Sequence, residues 1–265
     1  MSANMMYTAI AGLNTFSDAL SVVSDNIANA NTTGWKSNTV DFGDLVSGLM
    51  PTQDINTTAQ GVGSTVLGVT SDFTTGNEIQ TGLWSDLMIQ GNGLFAVQES
   101  NGTICYTRDG SFQIGTDGYL DDMHGNHVLD TKGDPIQMEK DPSNPVYTSY
   151  SIDKFGNVTG TTSAGTVVAI DANPIGVTTF ANPNGLIRDG DNMYTPGSSA
   201  GTPVTQAAGS GQAGTLVAGA LENSNVDITQ QMVNLIDYQA DYQANSKSIQ
   251  TGDDILQIVM AMKPT

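Results

Sequence analysis

Apolar residues near the end of the chain recur every seven positions, at Ile228, Leu235, Tyr242, Ile249 and Leu256. A second stripe opens the chain in steps of three and four: Met6, Ile10, Leu13, Phe16, Leu20, Val23, Ile27 and Ala30. Such spacing lines apolar groups along one side of a helix, the arrangement of a coiled-coil seam. It predicts helices over residues 3–30 and 227–262, about 40 and 50 Å long at the usual rise per residue. Asn31-Thr32-Thr33-Gly34 supplies the stop of the first helix, with Gly34 suited to a left-handed cap. Asp227, followed three residues later by Gln230, supplies a capping-box start for the second. Gly252 falls inside the second helix, where it costs about 1 kcal/mol relative to Ala, so a close approach is expected there.

Between the helices the pattern changes. From Trp35 to Phe73 it is irregular and extended, with a short helical turn expected over 42–49, ended by Pro51. From Gly76 to Leu221 short alternating runs between turns predict strands, the clearest at 87–89, 94–97, 104–107, 111–114 and 167–170. Asn101-Gly102, Asp109-Gly110, Asp117-Gly118 and Asp189-Gly190 are hairpin-type dipeptides that tolerate positive φ. The fold class is therefore α+β. A discontinuous coiled-coil domain joins the N- and C-terminal helices (1–33 with 226–265), an extended connector follows (34–75), and 76–225 forms a mainly β middle domain.

Composition narrows the function. The chain has 265 residues, 27 acidic against 8 basic, for a net charge of −19. That field repels phosphate backbones and anionic membrane surfaces, which argues against nucleic-acid binding. No run of apolar residues is long enough to span a bilayer. No positively charged leader precedes the first basic residue, Lys36, so export, if it occurs, is expected without a cleaved signal. The single cysteine, Cys105, rules out a disulfide within the chain and reads as a strand-filling residue. The first helix carries only Asp18 and Asp25 as charges, far fewer than a solvated helix normally presents. Contacts on more than one side are the simplest reason.

Catalytic patterns fail on context. Gly197-Ser198-Ser199-Ala200-Gly201 has the string of a nucleophile elbow but neither the flanking strand and helix nor a downstream histidine. Gly209-Ser210-Gly211-Gln212-Ala213-Gly214 has the dinucleotide string inside a low-complexity loop. His124 and His127, with Asp117, Asp121 and Asp122 nearby, fall on a hairpin turn without metal-site spacing. No catalytic, cofactor or metal residue is assigned. An extracellular enzyme with oligomerising helices, and a binding module on a coiled-coil stem, are the competing classes. Each lacks a convergent cluster of chemistry-bearing groups.

Several stretches resemble the bacterial flagellar hook and rod protein family. They are Ala9-Ile10-Ala11-Gly12-Leu13, Ser24-Asp25-Asn26-Ile27-Ala28-Asn29 and Thr32-Thr33-Gly34-Trp35-Lys36 at the start. Gly91-Asn92-Gly93-Leu94-Phe95 and Tyr106 to Phe112 are similar to the family's β-domain signatures, as is Asp72 to Asn77. The end, Gly219 to Asp227 and on through Tyr242 to Lys247, is similar to hook proteins in particular. Asp25 and Trp35 stand where the family usually has Asn and Phe. The resemblance singles out Asn26, Asn29, Gly34, Trp35, Asn225 and Asp227.

It implies a structural subunit of the hollow hook, with a rod protein of the basal body as the alternative. The space between the ends is short for the additional outer domain of hook proteins. The implied partners are copies of the chain itself, neighbouring axial proteins (rod, hook cap, hook–filament junction) and the flagellar export apparatus. No cofactor is implied. Subunit packing is expected at Ile10, Leu13, Phe16, Leu20, Val23, Ile27, Ile228, Met232, Leu235, Tyr242, Ile249 and Leu256.

Overall fold

A computed structural model describes residues 2–46, 61–139 and 147–262. The chain forms two compact units. Unit 1 comprises residues 1–29, 38–72 and 226–265, and unit 2 comprises 30–37 and 73–225.

Unit 1 contains α1 (Ser2–Ala28), β1 (Asn38–Val46) and β2 (Gly61–Ser71), with the terminal helix α2 (Ile228–Ala261). Both helices match the extents read from periodicity within two residues. Asp227 caps α2, its Oδ1 accepting from Thr229 N at 2.9 Å and Gln230 N at 3.2 Å. Gln230 does not reach back as a capping box requires; its amide donates forward to Asn234 Oδ1 at 3.0 Å. The stretch from Phe42 to Val46 is strand rather than helical turn; 47–49 and Pro51 lie outside the described residues. The strand wins because β1 pairs antiparallel with β2 from Asn38↔Ser71 to Val46↔Gly61. Phe42 also meets Phe16 and Tyr238, with ring centroids about 6 Å apart (6.0 and 5.9 Å).

The two helices meet through small residues. On α1 the buried line is Ala9, Gly12, Thr15, Ala19, Val23 and Asn26. A Cβ on Gly12 would stand 2.8 Å from Asn245 Oδ1, and one on Gly252 would stand 3.1 Å from Met5 Cε. Helical spacing is preserved, but the residues selected are those that let one helix lie close on another. Asn26 is fully buried and pairs with the Asn38 backbone as a peptide group would. Its Nδ2 donates to Asn38 O at 2.7 Å and its Oδ1 accepts from Asn38 N at 2.9 Å.

Unit 2 is mainly β. In chain order its first strands are β3 (Glu78–Gln80), β4 (Leu87–Gln90), β5 (Leu94–Gln98), β6 (Ile104–Thr107), β7 (Gln113–Ile114), β8 (Leu120–Asp121) and β9 (His127–Val128). Then come β10 (Tyr147–Ile152), β11 (Val158–Thr162), β12 (Val167–Ala169), β13 (Gly176–Thr179), β14 (Leu186–Gly190) and β15 (Met193–Pro196). The last are β16 (Val204–Ala207), β17 (Thr215–Ala218) and β18 (Ala220–Glu222). The largest sheet runs β14-β15-β6-β5-β9-β8-β7, with β13 joining β5 to β16, and β10-β11-β12 form a separate sheet.

Side-chain alternation along β5 feeds two cores. Phe95 and Val97 enter one with Leu87, Ile89 and Phe112; Leu94 and Ala96 enter the other with Tyr106, Phe180 and Tyr194. The β14–β15 hairpin turns at Asp191 and Asn192, with φ of 46° and 60°, not at Asp189-Gly190. Two consecutive left-handed residues make the tight turn whose twist suits a hairpin, and Asp and Asn tolerate them.

A buried charge cluster closes unit 2. Glu222 Oε1 accepts from Lys36 Nζ at 2.6 Å and from Gly76 N at 2.7 Å, while Oε2 accepts from Arg108 Nε at 2.5 Å. Lys36 also donates to Thr74 O at 2.7 Å. Arg108 donates to Ile89 O at 2.8 Å, to Gly91 O at 2.7 Å and to Gly93 O. The loop Gly91-Asn92-Gly93 can wrap the guanidinium because both glycines hold φ above 110° (115° and 129°). Asn225 adds a stitch, its Oδ1 accepting from Ser37 N at 2.7 Å and its Nδ2 donating to Thr74 O at 3.2 Å. Gly34 lies against the Arg108–Asp109 backbone, donates to Glu222 O at 2.8 Å and has φ of 67°. Trp35 is buried beneath the Arg188 guanidinium, 3.9 Å from its ring centroid.

Burial alone would raise the Glu222 pKa, but the charges of Arg108 and Lys36 outweigh it and hold the carboxyl below the usual range. The stabilisation is therefore fully present above the unfolded value near pH ~4.3 and is lost as pH falls through the lower folded value. Glu222→Gln leaves two buried cations without their anion and is expected to destabilise unit 2 by about 3–5 kcal/mol near neutrality. Urea titrations at several pH values should show this gap closing as the wild type is acidified below pH ~4. Gly34→Val combines left-handed strain with a Cβ only 2.6 Å from Asp109 N. Its expected cost is about 2–4 kcal/mol in the same titration.

Candidate assembly site

Most large apolar residues of the helical stripes keep part of their surface exposed, although Phe16 meets Tyr238 of α2 with ring centroids 6.1 Å apart. On α1 Ile10 stays 44% exposed, while Leu13, Phe16, Leu20 and Ile27 are half-buried. Val23 alone of the expected α1 positions is fully inside. On α2 Ile228, Met232 and Tyr242 are exposed, and Leu235, Ile249 and Leu256 are half-buried. Sequence periodicity did not single out Val233, Ile236, Ile255 and Ile258, yet all are exposed, Ile236 to 64%. The hairpin adds Val46, Leu67 and Val69.

Unit 1 thus presents apolar surface on both helices and on β1–β2. Scattered exposed apolar residues are ordinary, whereas many along the same elements are the composition of an interaction surface. Charge is sparse on α1, which carries only Asp18 and Asp25, while α2 carries Asp237, Asp241, Asp253 and Asp254. Lys247 is the one basic residue in α2, and α1 has none.

The residues named by the family resemblance act within the subunit. Asn26 closes the start of β1, and Asp227 caps α2. Asn29 donates to Asp25 O at 2.9 Å at the end of α1. Gly34, Trp35 and Asn225 surround the Lys36–Glu222–Arg108 cluster. That cluster was not read from the sequence, although each member lies inside a quoted stretch. The available signal was that Lys36 and Arg108, two of only 8 basic residues in the chain, both lie in those stretches.

The tempting chemical motifs have structural uses. Asp122 Oδ1 accepts from His124 N at 2.8 Å and Asn126 N at 2.9 Å, so its carboxylate organises a turn. Asp130 and Asp153 do the same, accepting from Lys132 and Asp134, and from Phe155 and Asn157. For Asp153 burial raises the pKa, yet the bonds from Asn157, Phe155 and Gly156 outweigh it and lower the value. The recurrence Asp-x-x-Gly-Asn at 122–126 and 153–157 was visible in the sequence as a repeated turn. His127 Nδ1 lies 2.6 Å from Asp121 Oδ1.

Among the described residues no group of three or more His, Cys, Asp and Glu converges as metal ligands. Gly197 to Gly201 and Gly209 to Gly214 are loops in unit 2, flanked by strands rather than opening a helix. The Cys105 thiol is fully buried and pushed up to about 11 by that burial, with Glu99 adding to the shift. A thiol held so far from ionisation is inert as a nucleophile. No described helix is long and apolar enough to cross a membrane.

Three family models match the chain. Residues 6–36 match "Flagella basal body rod protein", 88–160 match the hook protein FlgE/F/G D1 domain, and 217–262 match the basal body rod FlgEFG protein C-terminal region. The chain is 35% identical to the flagellar basal-body rod protein FlgG of Bacillus subtilis, covering 97% of this chain and 98% of the relative. It is 32% identical to FlgG of Buchnera aphidicola subsp. Schizaphis graminum, covering 95% and 96%. To the hook protein FlgE of Salmonella typhimurium it is 25% identical, covering 96% and 99% in an alignment of 407 positions. At these identities and coverages the chain belongs to the flagellar basal-body rod and hook protein family, whose members are structural subunits of the flagellar axis and not enzymes.

Proposed function

We propose that this chain polymerises with copies of itself into a straight rod segment of the flagellar basal body. One observation carries the choice of rod over hook. The match to FlgG runs end to end, whereas the match to the hook protein needs 407 positions against the 265 residues present here. The hook protein therefore holds a large stretch that this chain lacks, in keeping with the space that is too short for an added outer domain. A compact hook subunit is the second reading, favoured by the wording of Gly219 to Asp227 and Tyr242 to Lys247.

In this proposal residues 1–33 and 226–265 of many copies pack laterally into an inner tube around a channel. The exposed Ile10, Ile228, Met232 and Tyr242, joined by Val233, Ile236, Ile255 and Ile258, supply the lateral contacts. The half-buried Leu13, Phe16, Leu20, Ile27, Leu235, Ile249 and Leu256 contribute what surface they retain. Each large side chain fully buried on assembly contributes about 1.5–3 kcal/mol at most. Low charge on α1 keeps the desolvation cost of such burial small.

Neighbouring axial proteins would continue the tube above and below. Passage through the flagellar export apparatus would deliver each subunit unfolded. The mainly β region, 76–225, would project outward.

The double substitution Ile228→Asp with Met232→Asp places charge on two exposed positions and leaves the buried lines of both units intact. The soluble subunit is expected to keep its unfolding midpoint while polymer disappears from sedimentation assays. Unchanged polymer yield would remove the seam from the account. Electron microscopy of wild-type assemblies separates the two readings: straight tubes support rod, and curved tubes support hook.

A further inference from the structure

The sheet β10-β11-β12 ends in an open edge whose sequence is unusual for so acidic a chain. Among the described residues β12 pairs only with β11, in the register Thr159↔Ala169, Gly160↔Val168 and Thr161↔Val167. The bonds Thr162 N to Thr166 O and Ile170 N to Val158 O fix which pairs exchange hydrogen bonds. By the alternation of an antiparallel ladder, Val168 then bonds inward, while the N–H and C=O groups of Val167 and Ala169 face outward. Val167 is 65% exposed and Val168 40%.

Natural edges are usually blunted by Lys, Pro or an inward charge. This one has none of these, for residues 155–170 hold no charged side chain and no proline. By contrast β14, at one end of the large sheet, carries Arg188 and Asp189.

We propose that β12 is a docking edge for a second copy of this chain, which adds a strand to the β10-β11-β12 sheet. The charge of the chain points to that occupant. Two copies at −19 each repel wherever acidic surfaces meet, so they approach best through segments that carry no charge. Main-chain pairing supplies the attraction, as in strand addition generally. The contact is heterologous: β12 of one copy meets a different edge of the next, because pairing β12 with itself would close a dimer instead of extending a tube. This inference rests on the self-assembly reading above and adds to it a contact outside the helices.

Val167→Pro in the full chain is the test. It deletes an outward N–H at an edge position where proline is tolerated, and the bonds from Val168 to β11 remain. The soluble variant is expected to keep the wild-type melting temperature while its critical concentration for polymer formation rises about tenfold, the scale of one lost hydrogen bond. Should the proline variant fail to fold, Val167→Lys replaces it, with the same expectation.

Hydrogen exchange gives a second readout. Val167 and Ala169 amides should exchange freely in the monomer and be protected in the polymer. Wild-type critical concentration in the variant, or equal exchange in both states, overturns the proposal. If the Ile228→Asp, Met232→Asp protein still fails to assemble in that case, the polymer reading stands and the edge alone is rejected. Failure of the wild type to polymerise at all rejects both.

Discussion

The segments of unit 2 next to the points where the chain enters and leaves it converge on one buried carboxylate. Glu222 sits between Lys36 and Arg108, partners 186 and 114 residues away in sequence. A buried ion of this kind is costly unless every lone pair and proton is matched. Here the matching is extensive, since the carboxylate takes three donors and both cations also donate to backbone carbonyls, at Thr74, Ile89, Gly91 and Gly93. The result is specificity of place rather than a large net gain in stability. The chain leaves unit 2 after Ser37 and again after Asn225, and it enters at Ala30 and Phe73. Residues next to these passages, from Gly34 to Ser37, Thr74 to Gly76 and Glu222 to Asn225, are held in one cluster.

Unit 1 solves a different problem with a division by size. Small groups, Ala9, Gly12, Thr15 and Ala19, are buried inside the subunit, Gly12 against Asn245 of α2 and Thr15 against Ser64 of β2, and most large ones remain at least partly in solvent. Close packing of two helices needs only that one side be flat. On the proposed reading, the aliphatic and aromatic side chains left over hold free energy of burial that becomes available when further copies arrive. On the proposed reading, sparse charge on α1, and none in residues 155–170, serves the same end in a chain that otherwise repels its own kind.

Much of this was legible in the residues. Helix extents followed from periodicity because steps of three and four admit few other structures, and β4, β5 and β6 followed from alternation between turns. The intramolecular face of the helices was not legible. Hydropathy picks out Ile10, Leu13 and Phe16, whereas geometry picks out Gly12 and Thr15, offset by one position along the helix. The β1–β2 hairpin lies in the stretch 34–75, where the sequence pattern predicts only a connector because Gly61, Gly63 and Gly68 interrupt the alternation. The turn at Asp191-Asn192 was assigned to the neighbouring Asp189-Gly190, since glycine is the stronger signal for positive φ.

The charge cluster shows why pattern reading stops where it does. Lys36, Arg108 and Glu222 each stand in a stretch that resembles the family, yet spacing along the chain carries no sign that they meet. Only the fold brings them together, and the glycines at 34, 76, 91 and 93 have meaning only once they do. A Cβ at Gly76 would stand 2.0 Å from Asn223 O, so backbone itself closes that side of the cluster.

The most direct measurement is native-state hydrogen exchange at the Gly34 and Gly76 amides, which donate to the Glu222 carbonyl and carboxylate respectively. If the cluster anchors unit 2, both should exchange only through its global unfolding, with the same opening free energy as the amides of β5. Faster exchange through local opening, while β5 stays protected, would show that the roots of the helices fray independently and that Glu222 does not hold them.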